Sequence, residues 1–292
     1  MKLRERVAAA PISWGVCEVP GWGVQLDPAR VLTEMREVGA VATEFGPDGF
    51  LPRDPAERVR ILARHGLVAV GGFVPVVLHD PDHDPLPEVD TALDAFIAAG
   101  AGTLVLAAAT GQDGYDSRPT LDEESWKRLL RNLDRLAERA QSRGVTATLH
   151  PHVGTMVERE DEVRRLLDGS AIALCLDTGH LLVGGTDPAR LARDVPERVA
   201  HVHLKDVDEG WAGRVRAGEV GYADAVRAGM YRPLGCGDVD IAGIVAALDG
   251  AGYRGWYVME QDTVLTTEPP PGEGPVADVR ASLAFLDGLA IP

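Results

Sequence analysis

Short runs of Val, Ile, Leu and Ala alternate along the chain with longer amphipathic stretches. That rhythm marks βα units wrapped around a parallel sheet. Runs near 7–13, 41–45, 67–74, 103–107, 145–150, 172–176, 199–204 and 255–260 read as strands. Each precedes a helical stretch, near 28–38, 54–65, 87–99, 120–143, 158–168, 187–195, 240–250 and 273–288. The helix over 120–143 carries the plainest signals. Thr120 stands as its N-cap ahead of Asp122, Glu123 and Glu124, and Arg143-Gly144 closes it. Glycine also follows the helical stretch at Val38-Gly39, His65-Gly66, Ala99-Gly100 and Ala251-Gly252, where a left-handed residue turns the chain back to the next strand. The repetition predicts α/β architecture, a (β/α)8 TIM barrel forming a single domain over residues 1–292. A doubly wound open sheet is the competing fold, and it lacks a GxGxxG turn after the first strand.

Two connections exceed what a barrel needs, about 75–88 and 206–238. Both follow strands, on the face where barrel active sites lie, and loops of this length usually have a task. The second holds Trp211, Tyr222 and Tyr231 and is expected to form a lid or a pocket wall.

The composition is ordinary for a globular chain of 292 residues, 45% hydrophobic and 25% charged. Charge is more telling. A formal net charge of −16 without a basic stripe argues against nucleic acid as a partner. Cys17, Cys175 and Cys236 form neither a CxxC pair nor a disulfide framework, which suits a reducing cytoplasm. No signal-peptide core or membrane-spanning apolar run is present, so the expectation is a cytoplasmic protein with a small-molecule substrate. A homo-oligomer remains open.

Chemistry gathers at strand ends. The fifth strand ends in Leu149-His150-Pro151-His152 and the sixth in Leu176-Asp177-Thr178-Gly179-His180. The seventh contains His201-Val202-His203-Leu204-Lys205-Asp206, and the eighth ends in Met259-Glu260-Gln261-Asp262. Five of the eight histidines fall in these stretches. Singly, each has a bland explanation: Asp177 as a turn former, Glu260 as an arginine partner, His201 or His203 as packing. Jointly they converge on one rim, where uncompensated acids would repel and a divalent cation would resolve the conflict. The predicted metal ligands are Asp177, His203, Glu260 and either His150 or His152, with His150 preferred for its strand-end position. Carboxylates and imidazoles without thiolate suit Mn2+, with Co2+, Fe2+, Zn2+ or Mg2+ as substitutes.

Glu44, at the end of the second strand, and Lys205 are the leading acid/base residues, although either could be a structural partner. His180 reads as a group that orients a ligand or contacts substrate. Trp14, Glu18, His152 and His201 are placed for substrate binding. No GxSxG elbow, P-loop or HExxH helix occurs.

The stretches AAAPISWG, VATEFGPDGFLP, LHPHVGTMVE, LCLDTGH, RVAHVHLKDV, GMYRPLGCGDVD and GYRGWYVME span residues 8 to 260. In them the chain resembles the xylose isomerase-like barrel superfamily of sugar isomerases and epimerases, and within it the inosose dehydratases of myo-inositol catabolism. The resemblance implies Mn2+ or Co2+ held by Asp177, His203, Glu260 and the strand-five histidine. It implies dehydration of a keto-inositol through an enediolate. The wider superfamily carries glutamate where this chain has histidine. The apolar run Leu106-Ala107-Ala108-Ala109 and the segment Gly15–Pro20 depart from the dehydratase pattern. A metal-dependent isomerase or epimerase of a ketose is the alternative. A non-catalytic sugar-binding barrel and a repair endonuclease are further readings, the last opposed by the net charge.

Overall fold

Val70 is the point at which the barrel closes. Its N–H donates to Thr43 on one side, and its carbonyl accepts from Gly102 and Thr103 on the other. The strand containing it is therefore split into β3 (Val68–Ala69) and β4 (Gly71–Val77). β3 pairs with β2 (Ala42–Thr43), and β4 with β5 (Thr103–Ala109). The remaining staves are β1 (Val7–Ala9), β6 (Thr146–Leu149), β7 (Ala173–Asp177), β8 (Val199–Leu204) and β11 (Tyr257–Met259). The sheet order β3-β2-β1-β11-β8-β7-β6-β5-β4 is parallel at every pairing. This is the expected (β/α)8 TIM barrel, seen in a computed structural model that describes residues 3–289.

Each barrel strand is followed by at least one helix. They are α1 (Pro28–Glu37), α2 (Pro55–Arg64), α3 (Leu86–Ala99), α4 (Glu123–Ser142), α5 (Glu160–Gly169), α6 (Thr178–Val183) with α7 (Pro188–Asp194), α10 (Ile241–Gly250) and α11 (Pro275–Asp287). α4 shows why the pattern was readable. Trp126, Leu129, Leu133, Leu136 and Ala140 recur at helical spacing and are all buried against the sheet. Each fully buried leucine of this kind contributes roughly 1.5–3 kcal/mol. The cap differs from expectation. Asp122, not Thr120, accepts the Ser125 N–H, because its carboxylate lies immediately before the first helical residue while Thr120 is still in the loop.

The segment 206–238 is also more regular than a loop. It contains β9 (Asp206–Val207), α8 (Glu209–Arg216), α9 (Tyr222–Arg227) and β10 (Tyr231–Arg232), the two strands pairing antiparallel. Buried Asp206 organises its return, its carboxylate accepting from the N–H groups of Gly235, Gly237 and Val239. The 75–88 connection shrinks, since β4 runs on to Val77. Among the described residues no helix is long and apolar enough to cross a membrane.

Candidate metal centre

Asp177 ends β7 and simultaneously caps α6. Its Oδ1 accepts the N–H groups of Gly179 (2.9 Å) and His180 (2.8 Å), as the exposed amides of a helix start require. Oδ2 is thereby left over, buried and without a hydrogen-bond partner. A register shift at Leu174/Cys175 sets Asp177 opposite His203 on β8. On β8 and just past its end, His201, His203 and Lys205 alternate with apolar residues and therefore share a face. β11 delivers Glu260 just past Met259.

These side chains converge. One ligand atom each from His150, Asp177 and His203 lie within 4.8 Å of one another. His150 Nε2 is 3.4 Å from Asp177 Oδ2. His203 Nδ1 is 3.5 Å from the same oxygen and 3.2 Å from Glu260 Oε2. Relative exposures are 1% for His150, 0% for Asp177, 1% for His203 and 9% for Glu260. The tautomers are prepared by outer partners. His150 Nδ1 donates to the Pro151 carbonyl at 2.8 Å, which frees Nε2. Glu44 Oε1 accepts from Nε2 of both His201 (2.8 Å) and His203 (3.1 Å), which frees His203 Nδ1. That nitrogen and Asp177 Oδ2 are both buried without a hydrogen-bond partner. Two orphaned ligand atoms facing a carboxylate and a second imidazole fit a divalent cation, so the set His150, Asp177, His203 and Glu260 suits such an ion.

Charge explains the titration behaviour. Burial alone would raise the Asp177 pKa, but the Lys205 ammonium beside it outweighs this and holds it well below the ordinary value. In Glu260, burial is likewise outweighed by His203 and Lys205, and the pKa is lowered. Glu44 is also lowered, burial being overcome by His203 and His201. Desolvation pushes the imidazoles of His152 and His180 well below the usual histidine value, so both are neutral. Lys205 is held well above its usual value, as Asp177, Asp262 and Glu260 overcome its burial.

The remaining expected residues fall into two groups. Lys205 and His180 sit beside the ligand atoms, with Lys205 Nζ 2.9 Å from His180 Nε2, 3.1 Å from Glu260 and 3.5 Å from Asp177. His152 is next to them, its ring 3.7 Å from that of His180, and its Nδ1 donates to the Val153 carbonyl. Glu18 lies near enough to Asp262 and Glu260 for their charges to add to desolvation in raising its pKa. Glu44 and His201 are buried behind His203. Trp14 is fully buried in the main core, its indole N–H donating to Glu34 at 2.9 Å. That bond occupies its polar edge.

Several residues at the centre were not foreseen. Asp262 contacts Lys205 at 2.8 Å and accepts the Tyr222 hydroxyl at 2.6 Å. Phe73 packs its ring 5.4 Å from His152, and Tyr115 stacks on His152 at 5.8 Å. Trp22, Tyr115 and Tyr222 form a chain of aromatic contacts over this end of the barrel. Tyr222 and Tyr231 come from the long segment after β8 and pack their rings beside His180. Trp211 instead packs under Arg214. Gly179 makes the close approach possible, since a Cβ there would lie 2.6 Å from Lys205 Cβ and 2.8 Å from the Tyr231 ring.

The model of the xylose isomerase-like TIM barrel family matches residues 32–289. The chain belongs to this family. A rhizopine catabolism protein, MocC, of Rhizobium meliloti is 35% identical over 88% of this family member and 81% of its own length. An inosose dehydratase of Geobacillus thermodenitrificans is 31% identical, covering 88% of this chain and 89% of the relative. Among solved structures, an L-ribulose 3-epimerase superposes with a TM-score of 0.70 at 15% identity, covering 98% of this chain and 94% of the other. The IOLI protein, described with a bound zinc atom, gives a TM-score of 0.68 at 13% identity with 97% of each chain covered. At such identities the structural matches speak for the barrel fold.

Proposed function

We propose that this barrel is a divalent-metal-dependent hydro-lyase that dehydrates a cyclic keto-polyol of the keto-inositol kind. The convergence of His150 Nε2, Asp177 Oδ2, His203 Nδ1 and Glu260 beside Lys205 and His180 carries the reading. The likeness to an inosose dehydratase over 88% of this chain supports the substrate class. Mn2+ best fits two carboxylates with two imidazoles, Co2+ being the nearest substitute. When bound, the ion supplies Lewis acidity toward the substrate ketone.

The protein's own groups do the rest. His180, kept neutral by burial, takes the proton from the carbon next to the ketone. The electron pair of that C–H bond becomes the new C=C bond as the β-carbon–oxygen bond breaks. Lys205, rich in N–H donors, gives a proton to the departing hydroxyl, which leaves as water. No redox partner is required. Glu44 and His201 orient His203 and do not touch substrate. His152, with Nε2 free, takes a substrate hydroxyl, and Phe73 and Tyr115 offer apolar faces to the ring carbons. Glu18 addresses the outer edge of the substrate.

Incubation of Mn2+-loaded enzyme with keto-inositols and common ketoses in D2O tests the reading. The expected result is an absorbing unsaturated or diketone product from a keto-inositol. Deuterium uptake without that product would move the assignment to an isomerase or epimerase, which shares the first proton transfer.

A further inference from the structure

Asp262 is superfluous to a four-ligand centre, yet it is the carboxylate nearest Lys205. Lys205 Nζ lies 2.8 Å from Asp262 Oδ1, compared with 3.1 Å from Glu260 Oε2 and 3.5 Å from Asp177 Oδ2. Asp262 is itself fixed. Its Oδ2 accepts the Tyr222 hydroxyl at 2.6 Å, so the Tyr222 oxygen is left to accept from the Tyr231 hydroxyl at 2.9 Å. Its side chain is only 6% exposed, so neither water nor salt screens the pair strongly.

The arrangement has a physical logic. Glu260 Oε2 and Asp177 Oδ2 are the oxygens a divalent ion would take, and the lysine ammonium reaches both of them. A lysine without another counter-charge would therefore compete with the ion for the same two carboxylates. We propose that Asp262, braced by Tyr222, is the counter-charge that holds the Lys205 ammonium beside the metal position and out of it. Lysine and cation then occupy adjacent places, with Asp262 serving the lysine alone. This rests on the metal centre proposed above and not on the identity of the substrate.

The test is Mn2+ affinity, read from the signal of the free aqua ion in electron paramagnetic resonance, for wild type, Asp262→Asn, Lys205→Met and the double variant. Asp262→Asn is expected to weaken Mn2+ binding by about tenfold or more, the usual scale for groups behind metal ligands. Lys205→Met is expected to bind Mn2+ at least as tightly as wild type, since the competitor is gone. The double variant is expected to match Lys205→Met, erasing the Asp262 defect. Tyr222→Phe, which loosens the brace alone, is expected to give a smaller loss that Lys205→Met also cancels. It serves as the test if Asp262→Asn does not fold by circular dichroism. Unchanged affinity in both Asp262→Asn and Tyr222→Phe, a defect that survives removal of Lys205, or weakened binding in Lys205→Met overturns the proposal. If wild type binds no Mn2+, the metal reading falls with it. If wild type binds one ion per chain but dehydrates nothing, the substrate reading alone fails.

Discussion

His203 points its Nε2 at Glu44, 3.1 Å away, and so turns Nδ1 toward Asp177 and Glu260. A single carboxylate behind the imidazole decides which nitrogen can bind a cation. Glu44→Gln presents an amide that can also donate, and the preferred tautomer is lost. The expected outcome is metal affinity reduced about 10–100-fold with the fold retained. Isothermal titration with Mn2+ measures it, and unchanged affinity would remove Glu44 from its orienting role.

Glu260→Gln is expected to lose metal affinity and activity together while circular dichroism stays native. Full activity in this variant would mean that Glu260 is no ligand.

His150 and His152 separate by experiment. His150→Ala is expected to abolish stoichiometric Mn2+ binding, because its Nε2 faces Asp177. His152→Ala is expected to keep the ion and to raise KM, because its ring lies against Phe73, Tyr115 and His180. The reverse pattern would exchange their assignments.

Chelation followed by dialysis is expected to leave a folded, inactive protein that Mn2+ restores. An ion that binds only the folded chain stabilises it by about 2.7 kcal/mol at one hundred times its dissociation constant. The thermal midpoint is therefore expected to rise on adding Mn2+. A midpoint indifferent to saturating metal would contradict specific binding.

At α4, Asp122→Ala is expected to cost about 1 kcal/mol and Thr120→Ala nothing measurable, since only Asp122 accepts a helix amide. Urea unfolding of both variants checks the ordering.

The barrel was legible because its evidence is periodic. The strands Val199–Leu204 and Ala173–Asp177 and the apolar stripe of α4 repeat at spacings set by backbone geometry. The alternation of His201, His203 and Lys205 placed three site residues on one face for the same reason. Asp262 stands in the strand-eight stretch but draws no role from the sequence, because it sits two residues past Glu260 in a segment without regular secondary structure and hence without a spacing to mark it. Tyr115 and Phe73 escaped notice because their partners lie far along the chain. Glu44 was recognised as important, but its contacts with His201 and His203 cross the barrel, and spacing along one strand cannot show which side of a ring a carboxylate occupies. The segment 206–238 read as a loop because α8 carries Gly210 and Gly213 and α9 is only six residues long.

The aromatic contacts from Trp22 through Tyr115 to Tyr222 join three separate βα connections above ligands that are almost wholly shielded from solvent. Release of an ion from ligands so little exposed is expected to need movement of the side chains around them. Its residence time is then governed by a protein motion as well as by bond strength, and two metals of similar affinity need not exchange on the time scale of an assay. The metal recovered with the protein would carry a memory of the supply it met while folding.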